Sequence, residues 1–255
     1  MFGAGDDFAA LARALGAERM DEGELRARLE SDARLRAAAS VGRARLAAQI
    51  EAELGPFDAT HLRAVADVPR ERFVRPRDLP RALDDTPLPL DDEGLATISA
   101  PHAYLLSFRL VRLGAGDELA ELGSGSGYGA ALASEIIGPG GRVRTFEIDD
   151  RLASRARSLL ADRTNVQVFR GDATDSAPAW AGATKVICTF AVRPLPDAWL
   201  RALPMHGVLV APVGPRDRDQ RLVRVERVGA ALGEVVTTDH GGVRYVSNRS
   251  ARAWN

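Results

Sequence analysis

The sequence predicts a doubly wound α/β protein: a mostly parallel sheet with an antiparallel edge, preceded by an N-terminal helical extension. Three observations predict it. The apolar-rich stretch 118–122 ends in glycines at 123, 125, 127 and 129, and residues 130–137 then have the composition of a helix; this is strand, tight turn, helix. Beyond that turn, short apolar runs alternate with helical segments, the rhythm of a parallel sheet. After Gly214 the rhythm changes to alternating strands only, which suits an antiparallel edge.

Taken in order, residues 7–54 are rich in Ala, Leu, Arg and Glu and contain no proline. Leu25 and Leu29, then Leu46, Ile50 and Leu54, recur four apart, which is helical spacing. Two or three helices are expected, broken near Gly16 and near Gly42. They read as a helical cap packed on the core, with a partner- or substrate-binding arm as the sharper alternative. Asp58 is placed to cap a helix over 59–66, and Pro69 stops it. Between Pro69 and Pro101 the prolines and the acidic pairs Asp84-Asp85 and Asp91-Asp92 have loop composition, and a long ordered loop tends to be functional. A helix over 102–113 follows, with Gly114 as its C-cap. Strands are expected at 118–122, 142–148, 166–170, 184–189 and 207–212, then 221–228, 234–238 and 243–246. The helices or crossovers between them fall at 130–137, 151–161 and 197–202.

Composition excludes several classes. At 255 residues, with 45% hydrophobic and 27% charged residues, the chain has the make-up of a soluble enzyme. A formal net charge of -1 offers no field for nucleic acid or an anionic membrane. One cysteine, Cys188, allows neither a disulfide framework nor a Cys-based metal site, and no metal is expected. No secretory pattern opens the chain and no stretch is long enough to span a bilayer, so a cytoplasmic monomer is the expectation.

The ligand is decided by what surrounds the glycines. Glu147 lies about 20 residues past the turn, where a carboxylate can accept from both hydroxyls of a ribose. A dinucleotide site aims a helix at a pyrophosphate, normally through G-x-G-x-x-G. Here Gly123, Gly125 and Gly127 alternate strictly with Ser124 and Ser126 after Glu121, which disfavours a nicotinamide-dependent oxidoreductase. That form is similar to the first motif of the S-adenosylmethionine-dependent methyltransferases. Asp172, in Gly171-Asp172 at the end of the third strand, can accept from an adenine amino group. Glu121, Gly123, Ser124, Gly125, Ser126, Gly127, Glu147, Ile148, Gly171 and Asp172 are therefore the candidate cofactor residues.

Further motifs occur in order upstream: Val68-Pro69-Arg70-Glu71-Arg72-Phe73-Val74, Pro87-Leu88-Pro89, and Thr97-Ile98-Ser99-Ala100-Pro101-His102. Downstream come Gly207-Val208-Leu209-Val210-Ala211-Pro212-Val213-Gly214, Gln220-Arg221-Leu222 and Gly241-Gly242-Val243-Arg244-Tyr245-Val246. With the glycine turn they closely resemble the protein-L-isoaspartate O-methyltransferases, from about Arg43 to Val246. The resemblance implies a Rossmann-like S-adenosylmethionine methyltransferase sheet. It implies methyl transfer to the free carboxylate of an isoaspartyl residue in a damaged protein or peptide, after which the ester collapses to a succinimide. It divides the chain into a 1–42 extension and a 43–255 catalytic domain, in which 43–113 is the substrate side and 114–255 the cofactor sheet.

By that resemblance Ser99 is the active-site serine, placed to hydrogen-bond the substrate carboxylate. Thr97 joins the cofactor set, and Ile98, Ala100, His102, Phe190 and Arg193 are candidate substrate residues. A carboxylate is already a nucleophile at neutral pH, so positioning and water exclusion should carry the reaction, without a general base. Two features depart from the family pattern, and a third residue near them bears on substrate charge. The approach to Thr97, Asp91-Asp92-Glu93, is acidic and is expected to repel a carboxylate substrate or favour a basic one. Phe190 stands where many relatives have small residues and is expected to narrow the pocket. Arg193 offers a charge-assisted grip on an anion. A related aspartate methyltransferase that tailors a ribosomally made peptide is the alternative, and a non-catalytic cofactor-binding protein is a third reading.

Overall fold

The protein is described from a computed structural model over residues 4–175, 177–215, 219–231 and 234–249. The chain forms two compact units, Met1–Leu105 and Leu106–Asn255.

The first unit opens with α1 (Ala4–Leu15), α2 (Glu22–Ser31) and α3 (Ala33–Leu54). Gly16 breaks the chain as expected, in a left-handed conformation at φ 65°. Asp21 and Glu24 form a capping box at the start of α2, each side chain accepting the other's backbone N–H at 2.8 and 2.9 Å. Asp32 caps α3 through the N–H groups of Arg34 and Leu35. The break expected near Gly42 is absent: α3 is continuous over 22 residues. Gly42 has a packing role, since a Cβ there would stand 2.4 Å from Leu83 Cδ1. Leu25, Leu29, Leu46 and Ile50 are buried, while Leu54 is exposed.

Asp58 caps α4 (Ala59–Asp67) by accepting from the Thr60 N–H at 2.8 Å. The proline-rich stretch beyond it contains more regular structure than its composition suggests. Two 3-10 turns, Arg70–Arg72 and Pro76–Arg81, lead to a small antiparallel pair, β1 (Leu88–Pro89) and β2 (Thr97–Ile98). The boundary between the units falls inside α5 (Pro101–Val111). The left-handed residue that ends α5 is Arg112 (φ 54°), not Gly114. The bonds Leu113 N–H to Phe108 C=O (2.9 Å) and Arg112 N–H to Arg109 C=O (3.1 Å) form a Schellman motif.

The second unit holds a seven-stranded sheet in the order β5-β4-β3-β6-β7-β8-β9. The strands are β3 (Glu118–Leu122), β4 (Arg142–Glu147), β5 (Val166–Arg170), β6 (Lys185–Cys188), β7 (Val208–Val213), β8 (Gln220–Arg227) and β9 (Val235–Val243). The first five pair in parallel; β8 and β9 are antiparallel. The helices are α6 (Tyr128–Ile137), α7 (Asp150–Leu159), α8 (Ala177–Trp180) and α9 (Asp197–Ala202). The strands expected at 234–238 and 243–246 are instead one strand that ends at Val243. The core joins Ala120, Leu122, Val186, Leu209 and Ala211 to the fully buried Trp180 and Trp199, and the Trp199 indole N–H donates to the Ala173 carbonyl at 3.0 Å.

This order places the site. From β3 the chain steps outward to β4 and β5, then returns to the other side of β3 for β6 and β7. Ligands in such sheets bind beyond the carboxyl ends of the strands where the order reverses, which here is between β3 and β6.

Candidate functional site

Beyond β3 the chain makes the glycine turn. Gly123, Gly125 and Gly127 all have positive φ, at 97°, 54° and 92°, a region that side chains with a Cβ rarely enter. Space enforces the same choice. A Cβ on Gly123 would lie 2.3 Å from Thr189 Oγ1 and 2.9 Å from Phe190 Cδ1, and one on Gly127 would lie 2.8 Å from Leu160 Cδ1. The Thr189 hydroxyl lies 2.6 Å from the Gly123 carbonyl and 3.1 Å from that of Leu122, and so braces the turn from β6.

Two acidic side chains meet at this turn. Glu147, at the end of β4, accepts the Gly125 N–H at Oε2 (2.8 Å) and the Asp149 N–H at Oε1 (3.0 Å). Burial, opposed by those N–H groups, lifts it above the usual carboxylate range. Each of its oxygens keeps a further lone pair, so it retains capacity for ribose hydroxyls. Glu121 is fully buried in β3. Its Oε2 accepts from the Thr145 hydroxyl at 2.6 Å, and Thr145 Oγ1 lies 2.6 Å from Ser124 Oγ. Loss of solvent, reinforced by the charge of Glu147 and opposed by the Thr145 hydroxyl, pushes Glu121 up to about 8. Glu121 Oε1 and Ser126 Oγ are buried without a hydrogen-bond partner among the described residues. Buried polar atoms normally find partners. A turn flanked by two such atoms suits a small ligand with polar groups, which S-adenosylmethionine carries.

Ile148 is exposed at 39% and lines a cleft of about 360 Å³ with Asp149, Asp150, Arg151, Arg170 and Arg249. Asp172 follows Gly171, and its Oδ1 accepts both the Thr174 N–H (2.8 Å) and the Thr174 hydroxyl (2.6 Å). That oxygen therefore caps a local turn. Phe190 lies against Gly123 and edge-on to Trp199, with ring centroids 6.2 Å apart. Arg193 is exposed.

In the first unit, Thr97 and Ile98 form β2, Ser99 and Ala100 follow it, and His102 lies in the first turn of α5. Ser99 is buried, and its carbonyl accepts from Arg70 Nη2 at 3.2 Å. Arg70 is itself fully buried and also donates to the carbonyls of Ala82, Asp84 and Thr86, each at 2.8 Å. His102 is oriented by Asp85, whose carboxylate accepts the His102 N–H (3.0 Å) and meets its Nδ1 (2.9 Å). Burial by itself raises Asp85; the bonds to His102 outweigh it and hold this carboxyl below its usual value.

Residues 52–253 match the family model described as protein-L-isoaspartate(D-aspartate) O-methyltransferase. The chain belongs to that family. Protein-L-isoaspartate O-methyltransferase of Ignicoccus hospitalis is 39% identical over 64% of this chain and 77% of its own length. That of Methanothermobacter thermautotrophicus is 36% identical over 75% and 88%, and the second such enzyme of Archaeoglobus fulgidus is 36% identical over 81% and 92%. Two solved structures share the fold. A protein-L-isoaspartate O-methyltransferase superposes with a TM-score of 0.71 at 22% identity, covering 80% of this chain and 65% of that one. A Plasmodium falciparum protein of the same description, solved with S-adenosyl-L-homocysteine, gives 0.69 at 19% identity, covering 81% and 98%.

As a member of this isoaspartyl methyltransferase family, the chain carries supporting residues that sequence reasoning did not single out. Thr145 and Thr189 have no motif signal of their own. Arg70 stands within the motif over 68–74, but nothing in a linear pattern reveals that its guanidinium gathers four carbonyls. The acidic approach is paired within its own loop. Arg75 lies 3.1 Å from the Asp92 carboxylate and donates to the Asp91 carbonyl at 2.6 Å. Arg77 pairs with Asp92 as well, and Asp91 Oδ1 accepts the Leu95 N–H at 2.9 Å. Asp91 and Asp92 therefore serve the fold of the loop, and local arginines offset their charge.

Proposed function

We propose that this chain transfers a methyl group from S-adenosylmethionine to the free carboxylate of L-isoaspartyl residues in damaged proteins or peptides, a repair activity. The observation that carries this is the family match over 52–253, which includes the glycine turn. Bound at that turn, S-adenosylmethionine supplies an electrophilic methyl group on a sulfur that leaves readily.

The roles of this chain's residues follow from their chemistry. Glu147 holds the ribose, while Ile148, Gly171 and Asp172 bound the adenine. Gly123, Ser124, Gly125, Ser126 and Gly127 cradle the amino-acid portion, with Glu121 and Thr97 completing the cofactor set. Ser99 hydrogen-bonds the substrate carboxylate and orients one oxygen for attack. Ile98, Ala100, His102, Phe190 and Arg193 shape the substrate pocket. No proton need be removed from a carboxylate that is already ionised, so orientation and exclusion of water account for the rate. We read residues 43–255 as the catalytic domain and 1–42 as its extension, and the protein as a cytoplasmic monomer that acts on peptide and not on nucleic acid. The net charge of -1 offers no broad field for nucleic acid, and among the described residues no helix is long and apolar enough to cross a membrane.

Peptide tailoring at ordinary aspartate is not favoured, since the curated relatives bear the isoaspartate name. The test is incubation with labelled S-adenosylmethionine and matched peptides that differ only in Asp or isoAsp. Label on the isoAsp peptide alone is the expected outcome; label on the Asp peptide, or on neither, overturns the reading.

A further inference from the structure

The carboxyl edge of the second unit is crossed by the chain's own C-terminal segment. Past the corner at Thr189 and Phe190, Val192 pairs in parallel with Val213 of β7. Its neighbour Ala191 pairs in parallel with Ser247: the Ala191 N–H donates to the Val246 carbonyl at 2.8 Å, and the Asn248 N–H donates to the Ala191 carbonyl at 3.0 Å. Successive residues of an extended chain direct their hydrogen bonds to opposite sides. With β7 on one side of this extension of β6, Ser247 lies on the other, which is the side of β3. β3 ends at Leu122 and the chain turns away through the glycines, so Ser247 takes the slot beyond its end.

The segment is anchored on both flanks of that slot. Upstream, the buried Gln220 of β8 accepts the Tyr245 N–H at 2.7 Å and donates to the Tyr245 carbonyl at 3.1 Å. Downstream, Arg249 reaches the Asp149 carboxylate at 3.4 Å, just past the end of β4. Since β3 lies between β4 and β6, residues 245–249 run across the reversal point where the glycine turn sits. Arg249 also lines the cleft that exposes Ile148.

We propose that residues 245–249 form a strap across the cofactor cradle and that Arg249 is a positioning residue: its pairing with Asp149 holds the strap shut on the nucleoside end, and cofactor and product exchange when the pair parts. This rests on the reading that the glycine turn holds S-adenosylmethionine. The two ends of the strap differ in strength in the way such a device requires. The Gln220 anchor is dry and doubly hydrogen-bonded. The Arg249–Asp149 pair keeps 36% of its arginine side chain in solvent, and exposed pairs are weak and screened by salt. A closure that must open in every turnover belongs at the weak end.

The test measures release of S-adenosylhomocysteine from the full-length protein by rapid displacement, at low salt and at about 0.3 M. Wild-type release is expected to accelerate with salt. Arg249→Ala should release about two- to fivefold faster at low salt and lose the salt dependence, while Arg249→Lys keeps wild-type behaviour and the isoaspartyl-peptide KM stays unchanged in both. Wild-type release rate and salt response in Arg249→Ala overturn the strap. So does faster release accompanied by an equal rise in peptide KM and a lower melting temperature, which marks general loosening. Failure of the wild-type protein to bind S-adenosylhomocysteine at all overturns the cofactor reading itself.

Discussion

The buried Arg70 donates through Nη2 to the carbonyl of Ser99, 3.2 Å away. The same guanidinium collects the carbonyls of Ala82, Asp84 and Thr86, so one side chain sets the path of the proline-rich stretch and of the serine segment together. A planar fork with five fixed donors is suited to this; an ammonium point charge is not.

Arg70→Met is therefore expected to leave several buried carbonyls without donors, each costing about 1–3 kcal/mol. Urea unfolding should show a loss of roughly 3 kcal/mol or more. Arg70→Lys should recover part of the stability but raise the KM for an isoaspartyl peptide. Unchanged stability in the methionine variant would show that water or rearrangement replaces these bonds.

Ser99→Ala removes the hydroxyl assigned to the substrate carboxylate. A hydrogen bond to a charged group is worth about 1.5–3 kcal/mol, so methyl transfer should fall about ten- to hundredfold. Calorimetric affinity for S-adenosylmethionine should stay within about twofold of wild type. Equal turnover of variant and wild type would take Ser99 out of the site.

Gly123→Ala forces a methyl group to 2.3 Å from Thr189 Oγ1 at a φ of 97°. The strained backbone alone costs about 1–3 kcal/mol, and the turn must distort to admit the atom. Cofactor binding, followed by calorimetry, should be lost or weakened at least about tenfold. Retained affinity would mean that the turn is not the cradle.

Glu121 rises from 4.5 to about 8, with burial as the main cause. The folded state then holds a proton that the unfolded state releases. Stability is fully present below about pH 4.5 and falls as pH rises toward 8, by an order of a few kcal/mol. Glu121→Gln removes the titration, so the difference in melting temperature between variant and wild type should widen in the variant's favour across that window. A difference that stays constant from pH 5 to 8 would show that Glu121 is ionised throughout.

Much of the fold was legible because it rests on local chemistry. The glycine turn announced itself through residues that adopt positive φ without steric cost, and Asp58 announced α4 through its capping side chain. Two expectations that failed took a glycine as a helix break or a helix cap. Gly42 looked like a helix break, yet α3 continues through it, and the glycine serves packing, since Leu83 fills the space a Cβ would occupy. Gly114 looked like the C-cap of α5, yet Arg112 takes the left-handed conformation.

The site divides in the same way. By itself the sequence determined the parallel strands from 118 to 212, the glycine turn and the acidic residues at successive strand ends, since these follow from residue type and spacing along a few turns of chain. Tertiary structure alone decided that Glu121 is buried, which lifts its carboxyl well above the usual range. It also decided that Arg70 meets Ser99 across 29 residues and that Arg249 meets Asp149 across 100. Burial and long-range contact depend on which surfaces close on one another, and a linear pattern of side chains carries no measure of that.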